Sequence, residues 1–176
     1  GLDESGAGRL ITSVGASFLI FAIPSGFIGG KLGRKNTISI GLSIMIAVLL
    51  SVFFIPKETL LHSYGSVPML GDFMNLTILL LLAGIGWSFI NINSLPMVVD
   101  LTDASQIGTF TGLYYLFSTL AAILGPNING WIVKLTGNNY ASIFVIGPIF
   151  MAAALVMIIG VHSGEAKATA GTERQD

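Results

Sequence analysis

Residues 25–37 read SGFIGGKLGRKNT, and Lys31, Arg34 and Lys35 fall within five of them. Three of the chain's eight Lys and Arg residues therefore gather at one glycine-rich turn. The runs on either side show what the turn connects. Residues 11–30 and 37–55 contain no Asp, Glu, Lys or Arg, and each has the roughly 20 residues that a helix needs to cross a bilayer. Working outward, residues 74–98, 109–133 and 141–161 repeat the pattern, again without a charged side chain.

The composition fits these five spans. Only 10% of the 176 residues are charged and the mean hydropathy is +0.83, whereas a soluble domain carries about a quarter charged residues. Strands of a membrane barrel would be about ten residues long and would alternate apolar with polar, which these runs do not. A soluble five-helix bundle would need polar faces, and these spans have almost none. The expected fold is an all-α integral membrane protein, with five transmembrane helices in residues 1–162. The tail 163–176, SGEAKATAGTERQD, is small, polar and without periodicity, the composition of a disordered end. The connection over residues 56–72 is long, and Leu60, Leu61, Tyr64 and Met69 suit it to rest on the membrane surface.

Several function classes are excluded or disfavoured. The formal charge of −1 offers no field for nucleic acid. With no cysteine, there are no disulfides, thiolate metal sites or thiol nucleophiles. His62 and His162 lie outside the spans without a second ligand at metal spacing, so neither metal nor cofactor is expected. A membrane enzyme would need a nucleophile and base at membrane depth. No His, Asp or Glu stands there, and Ser88 has no base nearby. Residue 1 is glycine, not methionine, and reads as the cut end of a longer protein.

Alternating the connections gives an orientation. Lys31, Arg34, Lys35, Lys167 and Arg174 fall on one side, and Arg9, Lys57 and Lys134 on the other. The positive-inside rule then places the KLGRKN turn and the C-terminal tail in the cytoplasm. A prokaryotic inner membrane is the expected location.

Small residues and prolines interrupt the spans. Ala22, Gly26 and Gly30 share a stripe of the first, and Gly125 and Gly130 lie in the fourth; such spacing lets membrane helices approach closely. Pro24, Pro96, Pro126 and Pro148 each remove a backbone hydrogen bond from a span or its end. Before the fourth span, Asp103 and Gln106 have the spacing of a capping box, which predicts a helix start near Ala104.

Two stretches carry a family resemblance over nearly the whole chain. GFIGGKLGRK, residues 26–35, resembles the loop signature of the major facilitator superfamily, Gly-x-x-x-Asp-Lys/Arg-x-Gly-Arg-Lys/Arg. Gly26, Lys31, Gly33, Arg34 and Lys35 fit it, while Gly30 stands at the acidic position, as is frequent in the weaker second copy. GLYYLFSTLAAILGPNING, residues 112–130, is similar to the glycine-rich signature of the fifth helix and its symmetry mate the eleventh, with Gly125, Pro126 and Gly130 at its centre. The resemblance implies helices eight to twelve of a twelve-helix transporter, which is most of one six-helix half, with the N-terminal half absent. It implies secondary active or facilitative transport of a small solute by alternating access. It also implies a gate in which loop cations pair with an acidic residue at the end of a neighbouring helix. Asp100, paired with Arg34 or with Arg34 and Lys31 together, suits that role, with Lys35 as the third cation of the gating turn; topology marking alone is the other reading.

In the family the cavity is faced by the seventh, eighth, tenth and eleventh helices. Trp87, Asn91 and Asn93 on the third span, and Tyr115 and Asn127 on the fourth, are the candidate solute contacts. Amides and hydroxyls beside tryptophan suit a sugar or another neutral polar solute, and they equally suit hydrogen bonding between helices. No carboxylate lies within a span, so an ion-coupling residue would have to lie outside this chain. A permease subunit that packs against other helices and transports nothing itself is the alternative function.

Overall fold

A computed structural model describes residues 4–67 and 71–161. Met69, His162 and the tail 163–176 lie outside the described residues. The five apolar runs fall on five helices long and apolar enough to cross a membrane: α1 (Glu4–Leu32), α2 (Arg34–Phe54), α4 (Asn75–Asp100), α5 (Ile107–Leu135) and α6 (Ile143–Ile159). A single turn of helix, α3 (Lys57–Leu60), precedes α4, and a 3-10 turn at Tyr140–Ser142 leads into α6.

One residue, Gly33, separates α1 from α2. Its φ is 86°, a region that side chains with a Cβ avoid. Glycine is what allows two long helices to reverse here without a loop. The Thr37 N–H and Oγ1 both donate to the Gly33 carbonyl, at 3.1 and 3.0 Å, and fasten the start of α2.

The α2–α4 connection is more ordered than a plain loop. Pro56 ends α2 by withholding an N–H, α3 follows, and then an antiparallel hairpin forms from β1 (Ser63–Val67) and β2 (Gly71–Met74). Leu60 is buried, whereas Tyr64 is exposed. The Tyr64 hydroxyl donates to Asn75 Oδ1 at 3.1 Å, and Asn75 Nδ2 donates to the Thr59 carbonyl at 2.7 Å. These bonds tie the hairpin and α3 to the first residue of α4. Thr77 Oγ1 completes that start by accepting from the Met74 N–H at 3.2 Å.

The start of α5 differs from expectation. The helix begins at Ile107, not near Ala104, and Gln106 caps it without a side-chain bond. The Asp103 carbonyl instead closes a turn with the Gln106 N–H at 2.9 Å, so helical geometry is delayed by about one turn.

α4 is the central element and packs against α1 on one side and α2 on another, while α2 also packs against α6. Gly41 on α2 faces Gly86 on α4; a Cβ at Gly41 would lie 2.7 Å from the Gly86 carbonyl oxygen. Ile38, Leu42 and Met97 form a small buried cluster covered by Ile90, Met151 and Leu155. α5 lies at the margin, with Val133 its one buried residue. Phe27 on α1, Phe117 on α5 and Val156 on α6 are among many large apolar side chains left exposed. An apolar surface of this extent is ordinary where hydrocarbon is the solvent.

Candidate functional site

The turn at Gly33, the end of α4 and the end of α6 meet at one end of the bundle. Arg34 Nε stands 2.6 Å from Asp100 Oδ2, and each side chain is 22% exposed. Lys35 Nζ donates to the carbonyls of Ile159 at 2.8 Å and Val161 at 2.7 Å, the last turn of α6 and the residue beyond it. A cation suits that helix end, where carbonyls lack partners and the dipole is negative. Lys31 is exposed and makes no ion pair among the described residues. Arg34 and Lys35 are adjacent in sequence yet fasten two different helices, because neighbouring residues on a helix point about 100° apart. A pair this open to water is worth about 0–1 kcal/mol. That is enough to tilt a balance between two conformations and too little to hold the fold.

Within the membrane-spanning region, α1 and α4 meet along a polar seam. Ser13, Ser25, Ser88 and Asn93 are all fully buried. Ser25 Oγ donates to the Ser88 carbonyl at 3.1 Å. Asn93 Nδ2 donates to Ser25 Oγ at 3.1 Å and to the Phe89 carbonyl at 3.0 Å. Glycines permit this approach: a Cβ at Gly29 would overlap Asn93 Oδ1, and one at Gly84 would overlap Ser17 Oγ. Of the glycines singled out in the sequence, Gly26 makes ordinary contact with Ile92. At Gly30, Gly125 and Gly130 an added Cβ would meet nothing within 4 Å among the described residues. Pro126 lies inside α5.

The five candidate solute contacts do not form one cluster. Asn93 is enclosed in the seam. Trp87 and Asn91 lie on the exposed side of α4, with Asn91 Nδ2 donating to the Trp87 carbonyl at 3.2 Å. Tyr115 and Asn127 are exposed on α5, and Asn127 Nδ2 donates to the Ile123 carbonyl at 2.6 Å. They are twelve residues apart, so they point in directions about 120° apart around the helix.

A different stripe of α5 lines two open grooves. The first, of about 500 Å³, lies between α4 and α5 and is lined by Val98, Phe110, Tyr114, Phe117 and Ser118. The second, of about 350 Å³, lies between α5 and α6 and is lined by Gly125, Ile128, Asn129, Gly147 and Phe150. Ala121 borders both. Tyr114, Ser118, Ala121, Gly125 and Asn129 recur at helical spacing and share one face. Tyr115, the candidate from the sequence, stands off this face, and its neighbour Tyr114 stands on it. The period of polar and small residues along α5 was the signal that could have found it. The grooves are mostly apolar, and no groups of His, Cys, Asp or Glu fit to hold a metal ion occur among the described residues.

The arrangement is a bundle of membrane helices with a glycine-turn ion pair at one end and open grooves along its side. The family profile of the Major Facilitator Superfamily matches residues 1–175. The chain belongs to that superfamily. It is therefore an integral membrane protein of a transporter family whose members bind small solutes within the membrane. It is 27% identical over 159 residues to an MFS-type transporter of Gibberella moniliformis (strain M3125 / FGSC 7600), which covers 90% of this chain and 35% of the fungal protein. It is 26% identical over 110 residues to monocarboxylate transporter 14 of Mus musculus, covering 62% of this chain and 21% of that protein. The human protein of the same name is 24% identical over a stretch of the same length. The chain thus spans about a third of the length of the fungal relative and a fifth of the mammalian ones. No solved structure matches it significantly.

Proposed function

We propose that this chain forms helices eight to twelve of a transporter that moves a small solute across the plasma membrane by alternating access. The observation that carries this reading is the Arg34–Asp100 pair, which links the α1–α2 turn to the end of α4 at 2.6 Å. A contact of that kind can open and close at little cost, as a gate between two near-balanced states requires. Lys35 holds α6 to the same turn, and Lys31 is the third cation of the gate. The gate end, with the tail that follows α6, faces the cytoplasm, and the rest of the transporter supplies the other half of the rocking pair.

The solute contacts are Trp87 and Asn91 on α4, with Tyr115 and Asn127 as outlying candidates and Asn93 as a support behind them. Tyr114, Ser118 and Asn129 join them on the groove face of α5. These groups are uncharged, which favours a neutral hydroxylated solute such as a sugar, held by stacking and by amide hydrogen bonds. A second reading, transport of a monocarboxylate, is favoured by the name of two mammalian relatives. An anion needs a cationic partner, which the described span interiors do not offer, so it would have to come from the remainder of the transporter.

The test is uptake into vesicles containing the intact protein, with labelled hexoses and labelled lactate as probes. Saturable hexose uptake lowered by Trp87→Ala would support the first solute class, and lactate uptake alone would support the second. Uptake of neither, with correctly inserted protein, would favour the packing-subunit alternative.

A further inference from the structure

α1 and α4 are each softened within the membrane by a proline, Pro24 and Pro96, which leaves one backbone carbonyl without its helical partner. The hydrogen bonds bridging the two helices sit beside these points. Ser25 follows Pro24, and Asn93 precedes Pro96 by three residues. The bridge has a defined polarity. The carbonyls of Phe89 and Ser25 can only accept, so the Asn93 amide must turn its Nδ2 toward them, at 3.0 and 3.3 Å. Its Oδ1 is then buried without a hydrogen-bond partner among the described residues, and it lies against Gly29.

This bridge and the Arg34–Asp100 pair are fasteners of different kinds. At the pair, each side chain is 22% exposed, so water can replace either partner. At the bridge, Ser25, Ser88 and Asn93 are fully buried, so no water replaces a lost bond. Sliding α1 past α4 by even one residue, about 1.5 Å of rise, would strand several polar groups in an apolar seam.

We infer that Ser25 and Asn93 form a fixed pin, so that α1 and α4 turn as one body while the Arg34–Asp100 contact opens and closes. The face of α4 that carries Trp87 and Asn91 is then moved by α1 and does not slide against it. This inference rests on the alternating-access reading.

A cross-link over the seam tests it. A Cβ at Gly26 would lie 3.7 Å from Ile92 Cγ2, next to both pin residues, and the chain has no cysteine of its own. Gly26→Cys with Ile92→Cys is introduced into the intact protein in vesicles, with and without Asp100→Asn, and hydrogen exchange is followed over residues 30–37 and 98–106. Asp100→Asn is expected to raise exchange in both segments about threefold, equally with the cross-link oxidised or reduced. If oxidation returns the rates to those of the unsubstituted gate, α1 must slide for opening, and the pin is overturned. If Asp100→Asn changes nothing in either state, the gate itself falls, and the pin loses its role with it.

Register gives a second measurement that needs no gate. With Asn93 in place, Gly30→Cys should cross-link to Ile92→Cys at least about tenfold more slowly than Gly26→Cys does, since it lies a full turn away. Asn93→Leu should narrow that difference. Equal rates with Asn93 intact would show a seam that slides freely and would overturn the pin, whether or not Asn93→Leu folds.

Discussion

Arg34 Nε and Asp100 Oδ2 lie 2.6 Å apart although 66 residues separate them in sequence. The contact joins the one-residue turn between α1 and α2 to the end of the central helix α4. Because both side chains are partly in water, its loss is expected to lower stability by less than about 1 kcal/mol. Asp100→Asn should therefore leave the thermal unfolding midpoint in detergent nearly unchanged. It should alter the labelling, by a membrane-impermeant maleimide, of a cysteine placed at Leu113 beside the α4–α5 groove. A large drop in the midpoint with unchanged labelling would make the pair structural.

Glycine positions should separate sharply by their neighbours. A Cβ at Gly41 would sit 2.7 Å from the Gly86 carbonyl oxygen and 2.9 Å from Phe89 Cβ, both on α4. Neither backbone nor Cβ can swing aside, so Gly41→Ala is expected to cost about 1–3 kcal/mol through overpacking. At Gly30, a Cβ meets nothing within 4 Å among the described residues. There Gly30→Ala should be neutral, or stabilising by about 0.5–1 kcal/mol through reduced backbone freedom. Chemical unfolding of the two variants in mixed micelles checks the order, and an equal loss would contradict it.

That contrast also shows what the sequence could express. The spans were legible because hydrocarbon excludes charge over a fixed length, and the Gly33 turn because its cations had to lie at a helix end. Packing was harder to read. Four-residue spacing marked Gly26 and Gly30, yet the close approaches fall at Gly29, Gly41, Gly84 and Gly86, since only the partner helix decides which stripe is used. Asn91 and Asn93 looked alike, but two residues turn a helix by about 200°. One amide therefore faces outward and the other closes the seam with Ser25. The hairpin at Ser63–Val67 was illegible for another reason. Only Tyr64 and Val67 in that strand favour β structure, and they give little signal until α3 and α4 bring the strands together.

The two asparagines should accordingly fail in different ways. With Asn91 as the proposed solute contact, loss of that hydrogen bond costs about 0.5–1.5 kcal/mol, so Asn91→Ala should raise the KM of uptake a few-fold while leaving the amount of folded protein unchanged. Asn93→Ala should instead lower folded yield, because Ser25 Oγ and the Phe89 carbonyl lose a buried partner. Uptake kinetics normalised to monodisperse protein separate the effects. An unchanged KM for Asn91→Ala and Trp87→Ala alike would remove that face of α4 from the solute path.

Lys35 provides a local test of how α6 is held. Its ammonium reaches the carbonyls of Ile159 and Val161, at 2.8 and 2.7 Å, more than 120 residues away in sequence. A cation at such a helix end is worth about 0.3–1 kcal/mol, too little to govern global unfolding but enough to govern fraying. Lys35→Met keeps the apolar stem and removes the charge, so exchange of the amides in the last turn of α6 should rise about two- to fivefold. Exchange in the middle of α6 should not change. Lys35→Arg should restore part of the protection, because the charge remains while the donor geometry differs. If the last turn exchanges no faster in Lys35→Met, the end of α6 is held by its apolar contacts with α2, and the lysine serves the turn alone.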